Sequence, residues 1–236
     1  MHREYGSWSS PHLGRTMEYL IFGWAGRPVL LFPTSMGRFF QYEDFGMIAA
    51  LGDRLDSGQL QAFCVDSVDG ESWYNRSVPP RDRALRHLAY EAYVFNEFVP
   101  FLRDRNGAPL VAAGCSFGAF HACNFALRRP DCFSKMVALS GMYDLRHMTD
   151  GYFDVEWYLN SPIDYIEQLE DPAYLDRFRQ MPLVLASGDA TDICYQSTLR
   201  LSSVLSSKSV PHELDIWPGA NHDWPVWKEM ARRHFC

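Results

Sequence analysis

The stretch AAGCSFGAFHA, residues 112–122, places Ser116 between two glycines, at the end of an apolar run and the start of a helical pattern. Its centre, Gly114-Cys115-Ser116-Phe117-Gly118, fits G-x-S-x-G, whose physical content is a sharp turn from strand to helix. The two glycines let neighbouring backbone approach closely, so the serine can take a strained conformation with its hydroxyl pointing outward. The next amide, that of Phe117, then lies at a helix N-terminus, where unpaired N–H groups and the positive dipole end stabilise a developing oxyanion. The same five residues also describe an idle serine in a glycine-bounded turn. The context favours a nucleophile, since residues 110–114 read as a strand and 117–128 as a helix that ends before Pro130.

Working outward, short β-rich apolar runs bounded by Gly or Pro alternate with stretches of helical periodicity. The strands expected are 18–22, 29–32, 62–66, 110–114, 136–139, 183–186 and 213–216, and the nearly continuous apolar character of the central ones suits burial on both faces. Helices are expected over 42–55, 83–105 with a kink at Pro100, 117–128, 198–205 and 224–235. This pattern predicts an α/β fold: one domain over residues 1–236, with a mostly parallel central sheet and helices on both faces. Residues 142–181, rich in Tyr, Trp and Asp, break the alternation and read as a cap-like insertion over a site, with Trp157 and Tyr158 as lid contacts.

The chain's 236 residues suffice for one well-buried domain, and a 47% hydrophobic, 22% charged composition is that of a globular protein. The 15% aromatic share hints at an aromatic-lined cavity. A formal net charge of −7 with no long basic run argues against nucleic acid as a partner. No apolar stretch reaches the roughly 20 residues of a membrane span, and residues 1–14 carry no signal-peptide core, so a cytoplasmic protein without a membrane partner is expected. The six cysteines (Cys64, Cys115, Cys123, Cys132, Cys194, Cys236) lack CxxC pairing and read as buried reduced thiols. No metal site and no cofactor are expected.

A serine hydroxyl is a weak nucleophile that needs an adjacent base, itself oriented by a carboxylate. After strand 183–186 comes SGDATDIC, residues 187–194, which offers Asp189 and Asp192 at the carboxyl end of the sheet. After strand 213–216 comes WPGANHDWPVW, residues 217–227, with His222 in a glycine-bearing loop before the last helix. This is the chain order Ser, Asp, His of one class of triad. Among the eight histidines only His222 combines late position, a preceding strand and such a loop. His2, His12, His147 and His234 read as solvated, His87 and His121 as packing residues on helices, and His212 leads its strand. Asp192 is favoured as the acid, leaving Asp189 to form the turn. The second oxyanion donor should come from the loop after strand 29–32, which reads PTSMG over residues 33–37. The amide of Ser35 is the choice, with Met36 behind it.

With serine, acid and base in place, the chain resembles the esterase family of α/β-hydrolases that includes esterase D (S-formylglutathione hydrolase), enterochelin esterases, feruloyl esterases and mycolyltransferases. Beyond GCSFGAFHA, the segment VDGESWYN (68–75) is similar to one that these proteins place near the active site, and GANHDWPVW (219–227) to their terminal histidine loop. A D-I-C-like segment carries the acid in close relatives, which favours Asp192-Ile193-Cys194. The oxyanion loop PTSMG departs from better-known members. The resemblance implies an α/β-hydrolase fold and an esterase that acts through an acyl-enzyme on Ser116, with a small-molecule ester as its partner. An acyltransferase or thioesterase would use the same triad, and a non-catalytic binding protein would keep the fold. For substrate contacts the sequence offers Trp73, Tyr74, Phe39, Phe40 and Trp224. No arginine pair stands out to clamp an anion, Arg38 and Arg76 being isolated, so a neutral ester with a hydrophobic or aromatic part is expected.

Overall fold

The computed structural model describes residues 1–149, 151–190 and 192–235, without the side chain of Asp192. Eight strands form one sheet: β1 (Arg3–Ser10), β2 (Arg15–Phe22), β3 (Arg27–Phe32), β4 (Leu60–Val65), β5 (Val111–Cys115), β6 (Lys135–Leu139), β7 (Leu183–Gly188) and β8 (Glu213–Trp217). Their spatial order is β1-β2-β4-β3-β5-β6-β7-β8. β1, β2 and β4 pair antiparallel, and all pairings from β4 through β8 are parallel. The fold is the expected α/β-hydrolase fold, with one strand that the sequence reading lacked. That strand, β1, is an edge whose residues alternate between exposed and half-buried, so no apolar run marks it.

Period-two alternation splits the parallel strands between two cores. Leu30, Phe32 and Ala112 face one core, together with Tyr90, Phe98 and Phe125 from the helices. Val29, Leu31, Ala113 and Cys115 face the other, with Tyr42, Leu55, Trp227 and Met230. The stretch expected as one helix at 42–55 is instead α1 (Gln41–Asp44), α2 (Met47–Ala50) and α3 (Gly52–Asp56), interrupted where Gly46 takes φ 73°. Helix α4 (Pro80–Tyr93) runs through a π turn at Val94–Phe98 into α5 (Val99–Arg105). The irregularity is therefore the π turn just before Pro100, whose missing N–H cannot bond the carbonyls of that turn.

Helix α6 (Phe117–Arg128) is buried from Phe117 through Leu127 and lies across β3 and β5. Between β6 and β7, residues 142–181 form a single 3₁₀ turn at Arg146–Met148 and three short helices, α7 (Val155–Tyr158), α8 (Pro162–Gln168) and α9 (Pro172–Gln180). Helix α10 (Asp192–Ser207) starts six residues earlier than the sequence suggests, and α11 (Trp224–His234) closes the chain. Among the described residues no helix is long and apolar enough to cross a membrane. Five cysteines are buried free thiols, and Cys236 lies outside the described residues.

The approach of α6 to the sheet requires two glycines. A Cβ on Gly118 would stand 2.1 Å from the carbonyl oxygen of Phe32, and one on Gly114 would stand 2.2 Å from the backbone of Gly118. Backbone, unlike a flexible side chain, cannot yield to such an overlap cheaply. Gly118→Ala should therefore destabilise the protein by about 3 kcal/mol or prevent folding. Thermal or urea unfolding checks this, and an unchanged midpoint would refute it.

Candidate active site

Ser116 sits between β5 and α6 with φ 55° and ψ −123°, a conformation that L-residues rarely adopt. It is held there by its neighbours: the Ser116 amide donates to Leu139 O at 2.8 Å, and its own carbonyl accepts from Ala119 N at 3.0 Å. Tyr42 braces the turn from below. Its hydroxyl donates to Phe32 O at 2.9 Å and accepts from Cys115 N at 3.1 Å. No local sequence pattern marks Tyr42 for this task.

The loop after β8 brings His222 to the serine across 106 positions of sequence, with Nε2 2.9 Å from Ser116 Oγ. The imidazole packs edge-on against Trp227, with centroids 4.8 Å apart at 87°. Asp223, whose carboxylate accepts from Trp224 N at 2.7 Å, caps α11 directly behind it. His222 Nδ1, the nitrogen that would face a triad acid, is buried without a hydrogen-bond partner among the described residues. Of the two aspartates expected there, Asp189 is exposed and its Oδ1 accepts from Gly219 N at 2.6 Å, so it ties the loop after β7 to the histidine loop. Asp192 opens α10, and its side chain lies outside the described residues.

Among the described residues, two backbone amides near this turn have no acceptor. Phe117 N opens α6, and no acceptor is found for it among the described residues. In the loop after β3, Thr34 N donates to Gln41 Oε1 at 2.8 Å, Met36 N to Asp69 Oδ2 at 3.2 Å and Gly37 N to Thr34 O at 2.8 Å. Ser35 N alone of these four is uncommitted among the described residues. The amide of Met36, the alternative donor, is engaged by Asp69. Tyr74 links the two halves: its hydroxyl donates to Ser35 Oγ at 2.7 Å, and its ring meets that of Phe117 at 5.2 Å. Burial pushes the Cys115 thiol up to about 12 and the Cys194 thiol to about 11, so neither is a reactive thiolate at neutral pH.

Of the five aromatic residues expected to touch substrate, the described contacts connect only Tyr74 directly to Ser35 and Phe117. Trp73 is fully buried against Trp157 (4.6 Å), His87 (4.8 Å) and Phe120, which leaves it no surface for a ligand. Phe39 packs on Tyr5 and Phe40, while Trp224 stacks on Phe45 at 4.8 Å. Trp157 is buried as well, and its Nε1 donates to Pro80 O at 3.2 Å. Tyr158 lines a cavity of about 330 Å³ with Leu127 and Arg128, at the end of α6 remote from Ser116, and so is no lid contact. Nor are all the histidines as expected: His234 is buried on Asp215 at 2.7 Å, and His121 holds Asp69 at 2.9 Å.

A cleft of about 300 Å³ opens between the loop leaving β6 and the start of α10, lined by Met142, Ile193, Gln196 and Ser197 with Asp144, Arg146 and Arg200. Arg146 and Arg200 both bind the Asp144 carboxylate, an arginine pair that sequence reading missed because 54 positions separate its members. Arg38, read as isolated, is engaged by Asp66 at 2.7 Å and by Glu18.

A model of the prolyl oligopeptidase family matches residues 105–234, which contain Ser116, both aspartates and His222. No curated protein matches in sequence. Among solved structures, a ferulic acid esterase superposes with TM-score 0.80 at 16% identity, over 99% of this chain and 96% of its own. An S-formylglutathione hydrolase from Agrobacterium tumefaciens gives 0.74 at 15% identity, over 99% and 92%. The ferric enterobactin esterase from Salmonella typhimurium gives 0.68 at 19% identity, over 99% of this chain and 57% of its own. At these identities the likeness is one of fold.

Burial lowers the pKa of His222 from its ordinary value of 6.5, and the neighbouring Asp223 carboxylate pulls it part of the way back. The imidazole is therefore neutral, and able to accept a proton, down to lower pH than a free histidine. An NMR titration of the His222 ring should give a midpoint below 6.5 in the native protein, and Asp223→Asn should move it lower still. A midpoint that rises in Asp223→Asn would contradict the assignment of these two influences.

Proposed function

Because the chain belongs to the prolyl oligopeptidase family, we propose that it is a serine hydrolase that cleaves carboxylic esters through an acyl-enzyme on Ser116. The observation that carries the reading is the 2.9 Å contact between Ser116 Oγ and His222 Nε2, made on a strand-to-helix turn, with the Phe117 and Ser35 amides uncommitted among the described residues. In this reading His222 Nε2 takes the Oγ proton as Oγ attacks the ester carbonyl. The Ser35 and Phe117 amides receive the oxyanion, which forms where no water need reorganise. Collapse breaks the bond to the alcohol oxygen, which leaves with the proton from His222. Water then repeats the sequence and releases the acid. Asp192 orients the imidazole through Nδ1 and stabilises its charged form, while Asp189 keeps the two loops together. The substrate is a small ester, one portion of which occupies the cleft beside Met142 and Ile193. The insertion at 142–181 forms one wall of that cleft and acts as its cap.

The match to a family named for peptidases supports a second reading, peptide bond cleavage by the same residues. Thioester hydrolysis and transfer of the acyl group to an alcohol also share the acyl-enzyme and differ only in leaving group or acceptor.

The test is turnover of a p-nitrophenyl ester series beside peptidyl p-nitroanilides, with alcohols added to intercept the acyl group. Ser116→Ala and His222→Ala should each lose at least about 10³-fold in kcat while remaining folded. Asp192→Asn should lose about 10³- to 10⁴-fold and Asp189→Asn less than about tenfold, which separates triad acid from turn residue. Faster cleavage of anilides than of matched esters would move the assignment to the peptidase reading. Undiminished turnover in Ser116→Ala would overturn both.

A further inference from the structure

We propose that Asp69 and His121 form a buried positioning couple for the oxyanion hole, in which Asp69 clamps the Met36 amide and so orients the neighbouring amide of Ser35. The inference rests on the esterase reading of the site and adds residues that touch neither substrate nor nucleophile. Asp69, 1% exposed, lies in the loop after β4, and His121, 0% exposed, lies on α6. His121 Nε2 donates to Asp69 Oδ1 at 2.9 Å, and Met36 N donates to Asp69 Oδ2 at 3.2 Å. One carboxylate thus joins the oxyanion loop to the helix that carries the nucleophile.

The hydrogen bonds around Ser35 explain why this sets a direction. On its N-terminal side, the peptide that contains the Ser35 N–H also contains the Thr34 carbonyl, which accepts from Gly37 N at 2.8 Å. In a trans peptide the N–H points opposite to the carbonyl, so fixing one end aims the other. On its C-terminal side, the peptide is pinned by Asp69 at Met36 N. Met36 itself sits at φ 57°, a left-handed conformation that a non-glycine side chain keeps only when its surroundings impose it. Both flanking peptides of Ser35 are therefore held, and the Asp69 carboxylate supplies one of the two holds.

His121 completes the couple by referring the loop to α6. Its ring also meets that of Phe117 edge-on at 5.0 Å, so both oxyanion amides are located against the same helix. A stable core does not require this arrangement, because an apolar pair of the same volume would fill the space without burying a charge. The function of the charge is directional: a carboxylate can accept from two donors at once.

The test uses the full-length protein and three readouts: kcat and KM on p-nitrophenyl butyrate, inhibition by an alkyl trifluoromethyl ketone, and hydrogen exchange at the Met36 amide. The ketone forms a tetrahedral adduct whose oxyanion needs the aimed amides. Asp69→Ala should lose about 10²-fold in kcat with KM within about threefold, weaken the ketone by a similar factor, and speed Met36 exchange. Asp69→Asn keeps an oxygen for Met36 N and should recover to within about tenfold of wild type. His121→Met removes the donor at similar volume and should lower kcat by about tenfold, whereas His121→Gln restores an N–H and most of the rate. A folded Asp69→Ala with unchanged kcat and ketone affinity, or a loss confined to KM, overturns the proposal. If Asp69→Ala does not fold, His121→Met decides, and unchanged kcat and Met36 exchange in that variant overturn it. A wild type inactive on every ester counts against the esterase reading alone, since Met36 exchange still reports whether the clamp exists.

Discussion

The contact of Gly118 with the carbonyl of Phe32 sets the geometry on which the rest of the site depends. It brings α6 so close to β3 and β5 that the chain can pass from strand to helix only through a residue at φ 55°, and that residue is Ser116. The strain is balanced by close packing around α6 and by Tyr42, which bonds both the Phe32 carbonyl and the Cys115 amide. From this turn the proposed nucleophile, Ser116, lies at the carboxyl end of β5, followed by the Phe117 amide, for which the described residues offer no acceptor. A looser approach would relax the serine into the helix and withdraw both.

Everything else in the site is delivered to that fixed point by loops from neighbouring strands. The loop after β3 supplies the Ser35 amide, the loop after β4 supplies Asp69 and Tyr74 to hold it, and the loop after β8 supplies His222. Asp189 ties the β7 loop to the histidine loop through Gly219. Hydrogen bonds tie these loops to one another, the β4 loop to the β3 loop through Asp69 and Tyr74 and the β7 loop to the β8 loop through Asp189, so the groups they carry are held in place before any ligand arrives. Such preorganisation matters because donors fixed in advance need not be reoriented when charge develops on a carbonyl oxygen.

The parts legible in the sequence were those governed by local rules. Six strands were readable because burial on one or both faces writes itself as apolar runs, the edge strand β8 from its place before the histidine loop although none of its residues is buried, and the elbow because only glycine permits its backbone contacts. His222 was chosen from its place after the last strand, and the structure sets it 2.9 Å from Ser116; Ser35 was chosen by analogy, and its amide is uncommitted among the described residues. The eighth strand, β1, was not legible because an edge exposes half of its residues and reads as polar. Trp73 was misjudged as a substrate contact since aromatic composition does not distinguish a cavity wall from a core. The bond from His121 to Asp69 and the Arg146–Asp144–Arg200 cluster join residues far apart in the chain, and no periodicity encodes such pairings. His121 read as a packing residue on a helix, and it does pack, but its Nε2 also bonds Asp69, which holds the Met36 amide next to Ser35.

Whether Ser116 is the nucleophile of a covalent mechanism is decided by trapping the acyl-enzyme. Wild-type protein mixed with excess p-nitrophenyl ester, quenched in acid within the first turnovers and examined by intact-mass and peptide mass spectrometry, should carry one acyl group, located on the peptide that contains Ser116. The same treatment of His222→Ala should leave the protein largely unmodified. An adduct on another residue, or turnover with no adduct at any time, would contradict the account.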